Sequence, residues 1–233
     1  MRLLCFVFLA MLSGLAPARA IEWQALFLAG DDSIENFDNG RRDLTALLAG
    51  IGTIEDIQVT SSRRVARNEE ITLADAEGVT EAFGALQARK GQGCLIHLTS
   101  HGTQEGLYLS RADVLDPAYF AELVDRSCDK YPTVILVSAC YSGVFIIEAL
   151  KGPNRIILTA ARDDRPSFGC SSEDYYTYWD ACLLDTIKAG RLWRKVYAEV
   201  QSCITRKERE ADVDPSEPQA FFGANTANWT VLF

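Results

Sequence analysis

Two apolar runs in this chain finish in residues able to do chemistry. "CLIHLTSHG" (Cys94–Gly102) ends in His101, and "VILVSACYSG" (Val134–Gly143) ends in Cys140. The chain has only two histidines, and both, His97 and His101, belong to the first run. In open α/β sheets the working groups collect where strands give way to loops. Adjacent parallel strands of similar length would therefore bring the two ends together. A thiol and an imidazole within reach of each other form a nucleophile and its acid–base partner, the imidazole lowering the thiol pKa and later protonating a leaving amine. Gly102 lets the backbone turn sharply with its amide open, and the amide of Cys140 would be a second donor to a developing oxyanion. Ser142-Gly143 clears room for a substrate chain. Each feature alone has a blander reading, a half-disulfide for the cysteine and a satisfied loop residue for the histidine. On matching strand ends the pair points to a cysteine hydrolase with an acyl substrate. His97, at mid-strand, reads as core.

The elements that must carry these groups follow from the apolar pattern. Strands are expected at Trp23–Gly30, in "IEDIQVTSS", and in the two runs above, with a fifth in "NRIILTAA". Helical spacing of apolar residues is expected in "RRDLTALLAGIG", closed by Gly50 and Gly52, and in "TLADAEGVTEAFGALQAR". Further helices are expected in "PAYFAELVDRSC", with Pro117 in the favoured first turn, in "SGVFIIEALKG", and in "DACLLDTIKA" and "LWRKVYAEVQSCITRKER". "GLYLS" reads as a hairpin-like piece, residues 162–179 as a polar and aromatic loop, "EADVDPSEPQ" as an acidic linker and "NWTVLF" as a closing strand. Strands alternating with helices, several of them apolar on both faces, imply an α/β domain whose mostly parallel sheet is covered on both sides. No second domain is indicated, so residues 21–233 read as one unit.

Residues 1–20 read as a cleaved secretory signal. Arg2 precedes the apolar run Leu3–Ala16, and Ala18-Arg19-Ala20 has the small-residue pattern of a cleavage site. The run is short for a membrane span, so the chain is expected to be exported, periplasmic or secreted, without a stable span. Losing Arg2 and Arg19 takes the net charge from −9 to −11, a poor surface for nucleic acid or anionic lipid. Six cysteines remain: Cys94, Cys128, Cys140, Cys170, Cys182 and Cys203. None has metal-site spacing, and neither a metal nor another cofactor is called for. If one cysteine stays a free thiol, at least one more is left unpaired. Cys94 and Cys128 each precede a predicted strand and can bridge at one end of the sheet.

The strand ending in "SHG", the strand ending in "SACYSG", and "TAARDDRPSFGC" beyond them resemble the legumain-like cysteine peptidases, in a compact bacterial-looking form. The resemblance runs from about Trp23 to Gly223. It implies a caspase-like fold, a three-layer sandwich around a mostly parallel sheet. It implies His101 and Cys140 as catalytic dyad, Gly102 and Cys140 as oxyanion amides, and a peptide or protein as substrate. Its asparagine-preferring pocket maps onto Asp180 in "YTYWDA", onto Tyr141 where the family has an acid, and onto Asn39 where it has an arginine. Arg41 and Arg42 follow two and three residues later, and Ser167 lies along the substrate path. An Asp180 without its arginine would suit Asn or a basic side chain. The family also contains transamidases, and a non-catalytic binding module with Cys140 in a disulfide is a further alternative.

Overall fold

The computed structural model describes residues 21–110 and 113–232; the expected signal segment lies outside them. A seven-stranded sheet is built from β1 (Glu22–Ala29), β2 (Ile54–Thr60), β3 (Thr72–Leu73), β4 (Gln92–Thr99), β8 (Thr133–Ser138), β9 (Arg155–Thr159) and β10 (Gln219–Phe222). Their spatial order is β10-β9-β8-β4-β1-β2-β3, and only β10 runs antiparallel to its neighbour. Three short strands form a separate antiparallel sheet after β4: β5 (Gly102–Thr103), β6 (Gly106–Tyr108) and β7 (Val114–Leu115).

The four central strands are buried almost throughout because both faces are covered. Leu26, Leu28, Ile96, Leu98, Ile135 and Val137 point to one face, where α3 (Ala76–Ala85) and α4 (Pro117–Cys128) supply Phe83, Phe120 and Val124. Ala25, Phe27, Leu95, Val134 and Leu136 point to the other. There α1 (Asn36–Ile51), α5 (Tyr178–Thr186) and α6 (Trp193–Glu210) supply Leu44, Leu183 and Val200. The strict alternation of these two sets is the period-two strand pattern read on both sides. The result is an α/β three-layer sandwich.

Two disulfides tie the elements together, one between layers and one within a layer. Cys94–Cys128 joins the start of β4 to the end of α4, and Cys182–Cys203 joins α5 to α6. Closing loops of 34 and 21 residues, each restricts the unfolded chain by ~3 kcal/mol. No helix of the described residues is long and apolar enough to cross a membrane.

Four expectations change. The predicted helix over "SGVFIIEALKG" is only a 3-10 turn at Ser142–Phe145. Its β-branched run is a weak helix former. The Ser142 hydroxyl instead accepts from Ala161 N at 3.0 Å, tying this turn to the end of β9. The closing strand is not "NWTVLF". Thr230 makes only an isolated bridge to Leu192, and "QAFF" forms β10. The helix predicted from Thr72 begins at Ala76, because the Asp75 carboxylate accepts from Gly78 N and caps it there, leaving Thr72-Leu73 to pair with β2. Finally, α2 (Arg63–Glu69) occupies a stretch in which no helix was expected. It buries no residue, so it carries no amphipathic signal.

Candidate active site

The register of β4 on β8 decides the geometry. Cys94 pairs with Thr133 and Thr99 with Ser138, and Ser100 N donates to Ser138 O at 3.1 Å. Beyond that last pair His101 and Cys140 each stand two residues further on. The contact is tight there: a Cβ at Gly102 would collide with the Cys140 carbonyl and meet the Ala139 Cβ at 3.0 Å. Glycine is what allows the two strand ends to touch. The His101 ring is held from the side by Phe37, edge to face with centroids 4.9 Å apart.

Cys140 is a free thiol, half-buried. It stands on a sharp turn, because Tyr141 takes the left-handed conformation at φ 56°, unusual for a bulky residue. Tyr141 N is spent on Arg165 O at 2.8 Å, whereas no backbone carbonyl of the described residues takes the Cys140 amide. Residues 165–170 wrap the sulfur: Ser167 N lies 3.3 Å from it, Ser167 O 3.5 Å and Ser167 Oγ 3.7 Å. Cys170 closes this segment three residues beyond Ser167, and the acidities of the two thiols are linked.

These contacts set the acidity. The Cys170 hydrogen bond lowers the Cys140 pKa most and burial opposes it; the Ser167 amide and hydroxyl and the charge of His101 add to the lowering. The thiol falls from 9.0 to about 6. Cys170 moves the other way, pushed upward first by its bond to Cys140 and then by burial. Cys140 is therefore the thiolate of the pair at neutral pH.

The residues expected to bind substrate separate into two groups. Ser167 touches the Cys140 sulfur, and Tyr141 follows Cys140 in the chain. Asn39 and Arg42 lie on α1 and fasten the facing loop: Asn39 Nδ2 donates to Tyr175 O at 3.1 Å, and Arg42 Nη2 donates to Asn39 Oδ1 at 3.1 Å and Tyr175 Oη at 2.9 Å. Asp43 joins the clamp, accepting from Arg42 at 3.0 Å and from Tyr176 Oη at 2.6 Å. Burial pulls the Asp43 pKa upward, but the Tyr176 and Arg42 hydrogen bonds outweigh it and hold the carboxyl below its usual range.

Arg41 and Asp180 turn inward instead. Arg41 is fully buried, and its guanidinium is used by Asp38, Glu69 and Gln58 at the β2–α2 side. Asp180 is 1% exposed; His97 Nε2 lies 2.9 Å from one carboxylate oxygen, and Thr99 Oγ1 donates to the other at 2.7 Å. The expectation of an open carboxylate waiting for a cationic side chain gives way to a buried pair, because the fold itself supplies the partner. His97 is core, yet it is also that partner.

Sequence reading missed Cys170, Phe37, and the tyrosines Tyr175 and Tyr176. Cys170 carried a signal: it is the cysteine left over once Cys140 is set aside and the other four pair.

Along one side of this loop a cavity of about 360 Å³ is bounded by Ser33–Asn36 and Asn39, and by Ser171–Tyr175. Its lining is one step removed from the strand ends. Asn36 Nδ2 donates to Gly169 O at 2.6 Å, next to Cys170, and Asn36 precedes the Phe37 that holds His101.

A three-layer sandwich with a loop-wrapped thiol and an imidazole on neighbouring strand ends has the build of the caspase-like cysteine peptidases. The solved structure of caspase-1 from Spodoptera frugiperda matches it with a TM-score of 0.59 over 86% of this chain and 85% of that one, at 11% identity, a likeness of fold alone. Comparison with curated proteins gives no match. The peptidase C13 family matches residues 59–189, more than half of the chain, a span holding His101, Cys140, Ser167, Cys170 and Asp180. The chain belongs to that family, the legumain-like cysteine peptidases. Asn39, Arg41 and Arg42 lie outside the matched span.

Proposed function

We propose that this protein is an exported cysteine endopeptidase in which Cys140 is the nucleophile and His101 the general acid and base. The observation that supports the reading is the register of β4 on β8, which brings the strand ends bearing His101 and Cys140 side by side, with the Cys140 thiol acidified. The Cys140 thiolate attacks the carbonyl carbon of a peptide bond. The backbone amides of Gly102 and Cys140 hold the oxygen as it gains negative charge. His101 protonates the departing amine, leaving a thioester on Cys140, and then takes a proton from the water that hydrolyses it.

Ser167 and Tyr141 line the approach to the sulfur, and the cavity beside Asn39 receives the side chain preceding the scissile bond. Asn36 Oδ1, buried without a hydrogen-bond partner among the described residues, suits the amide of an asparagine; the acids Glu35, Glu173 and Asp174 suit a lysine or arginine. Two structural disulfides support an oxidising compartment, in keeping with the signal expected at residues 1–20. The free thiol at Cys140 speaks against a binding module with that cysteine cross-linked.

The test is a peptide library varied only at the residue before the scissile bond, read with wild type and Cys140→Ala. Cleavage after Asn, Lys or Arg by wild type, absent in the variant, is the expected result. Cleavage surviving in Cys140→Ala overturns the reading. The same assay with an added amine reports transamidation, as product carrying that amine at the cleavage site.

A further inference from the structure

Four of the six cysteines in the described residues are closed into two disulfides, and the remaining two, Cys140 and Cys170, are free thiols on facing segments, Ser167 touching the Cys140 sulfur three residues before Cys170. The contact is built rather than incidental. The loop that carries Cys170 is pinned on both sides of it: Asn36 Nδ2 donates to Gly169 O at 2.6 Å, Tyr178 N donates to Phe168 O at 3.0 Å, and Ser167 N meets the Cys140 sulfur at 3.3 Å. Gly169 takes a left-handed φ of 82°, and a Cβ there would strike the Tyr178 backbone, so the turn leading into Cys170 requires glycine. Both cysteines are only half-buried, whereas Cys94, Cys128 and Cys182 are fully buried and Cys203 nearly so.

We propose that Cys140 is a site of reversible thiol–disulfide exchange and that Cys170 is its resolving thiol, the two closing into a third disulfide in the presence of a small-molecule disulfide. In the first step the Cys140 thiolate attacks one sulfur of that disulfide. A bond forms between Cys140 and the attacked sulfur, and the other half leaves as a thiolate. In the second step Cys170 loses its proton and attacks the Cys140 sulfur, forming Cys140–Cys170 and expelling the second half. Two protein thiols are oxidised, one external disulfide is reduced to two thiols, and the two protons end on the released thiols. The first step also prepares the second. Cys170 is held protonated chiefly by its neighbour Cys140, and once Cys140 is covalently capped its negative charge is gone. An exported protein meets such oxidants routinely, and the internal disulfide removes the nucleophile until a reductant restores it. The silencing rests on the peptidase reading; the exchange itself does not.

The experiment treats the folded protein with oxidised glutathione at neutral pH, quenches with acid and an alkylating reagent, and maps peptides by mass spectrometry without reduction. The expected wild-type product is a Cys140–Cys170 cross-link with no glutathione retained, while Cys170→Ser keeps glutathione on Cys140. Retained glutathione on Cys140 of wild type with Cys170 alkylated overturns the proposal, as does a Cys140 left unmodified; the wild-type result decides even where the variant fails to fold. Peptide hydrolysis is followed in parallel. Loss of at least tenfold with the cross-link, regained with dithiothreitol, is expected, and full activity in cross-linked protein overturns the silencing. If reduced protein cleaves no peptide, the peptidase reading fails while the cross-link is still scored by mass alone.

Discussion

His97 and His101 stand four residues apart on one run of chain and have opposite surroundings. His97 is sealed between sheet and helix with Asp180 as partner, at 0% and 1% side-chain exposure. His101 is half-exposed at the strand end, with an aromatic edge on one side and the strand end bearing Cys140 on the other. The same imidazole is structural where the low-dielectric interior closes over it and available for proton transfer where the strand stops. What separates the two is that His97 lies within β4 and His101 two residues beyond its end, and that difference is set by position rather than by residue type.

The comparison breaks most visibly in turnover. His101→Ala is expected to lower kcat/KM for a cleaved peptide by ~10²–10⁴-fold, with unfolding midpoints close to wild type. His97→Ala should retain most activity per folded molecule. Equal losses of kcat/KM in the two variants, measured on peptide substrate with folded fraction checked by circular dichroism, would erase the distinction.

In stability the order reverses. His97→Ala leaves the Asp180 carboxylate buried with Thr99 as its remaining side-chain hydrogen-bond donor among the described residues, and breaking such a buried pair costs ~3–5 kcal/mol. Urea denaturation of His97→Ala is expected to show that loss, and His101→Ala less than ~1 kcal/mol, the usual range for a change away from the packed core. A His97→Ala variant as stable as wild type would mean that the pair with Asp180 is not holding α5 to the sheet.

Several of these features were open to the sequence. The central strands announced themselves as apolar runs bounded by polar or glycine residues, and from their lengths alone the ends at His101 and Cys140 could be set side by side. Arg41, Asp180 and Cys170 were not legible in the same way. Asp180 meets His97 from 83 residues away and Arg41 meets Glu69 from 28 away, so no local spacing records either contact. A buried carboxylate seen in sequence has a charge but no visible partner, and the family resemblance alone assigns Asp180 to a pocket. The helix expected after Cys140 failed for a related cause. The left-handed Tyr141 and the Ser142 bond to Ala161 N commit that segment to holding the turn at Cys140.

The pH dependence sharpens the contrast by asking what His101 contributes to the thiol. Alkylation of Cys140 should rise with pH through a midpoint of about 6 and level off above it, well below the 9.0 of an ordinary thiol. Below the midpoint the sulfur is protonated and slow; above it the thiolate reacts. Cys170→Ala removes the largest lowering cause and should move the midpoint upward more than His101→Ala does. A wild-type midpoint near 9 would contradict the site geometry. The smallest effect is at Tyr141. Glycine relieves a left-handed strain of ~1–2 kcal/mol and adds ~0.5–1 kcal/mol of chain entropy cost. Tyr141→Gly should therefore gain on the order of 0.5 kcal/mol in denaturation, and a clear loss would mean that the tyrosine ring packs against its neighbours more than its partial exposure implies.

The central claim is that Cys140 carries the acyl group of a cleaved peptide. It is tested most directly by mixing the protein with a cleavable peptide, quenching with acid within the first turnover, and locating the added mass. The account predicts the N-terminal half of the peptide bound as a thioester to Cys140, building up faster in wild type than in His101→Ala. Peptide cleaved at the normal rate with no acyl group on Cys140, or with the group on another residue, would contradict it.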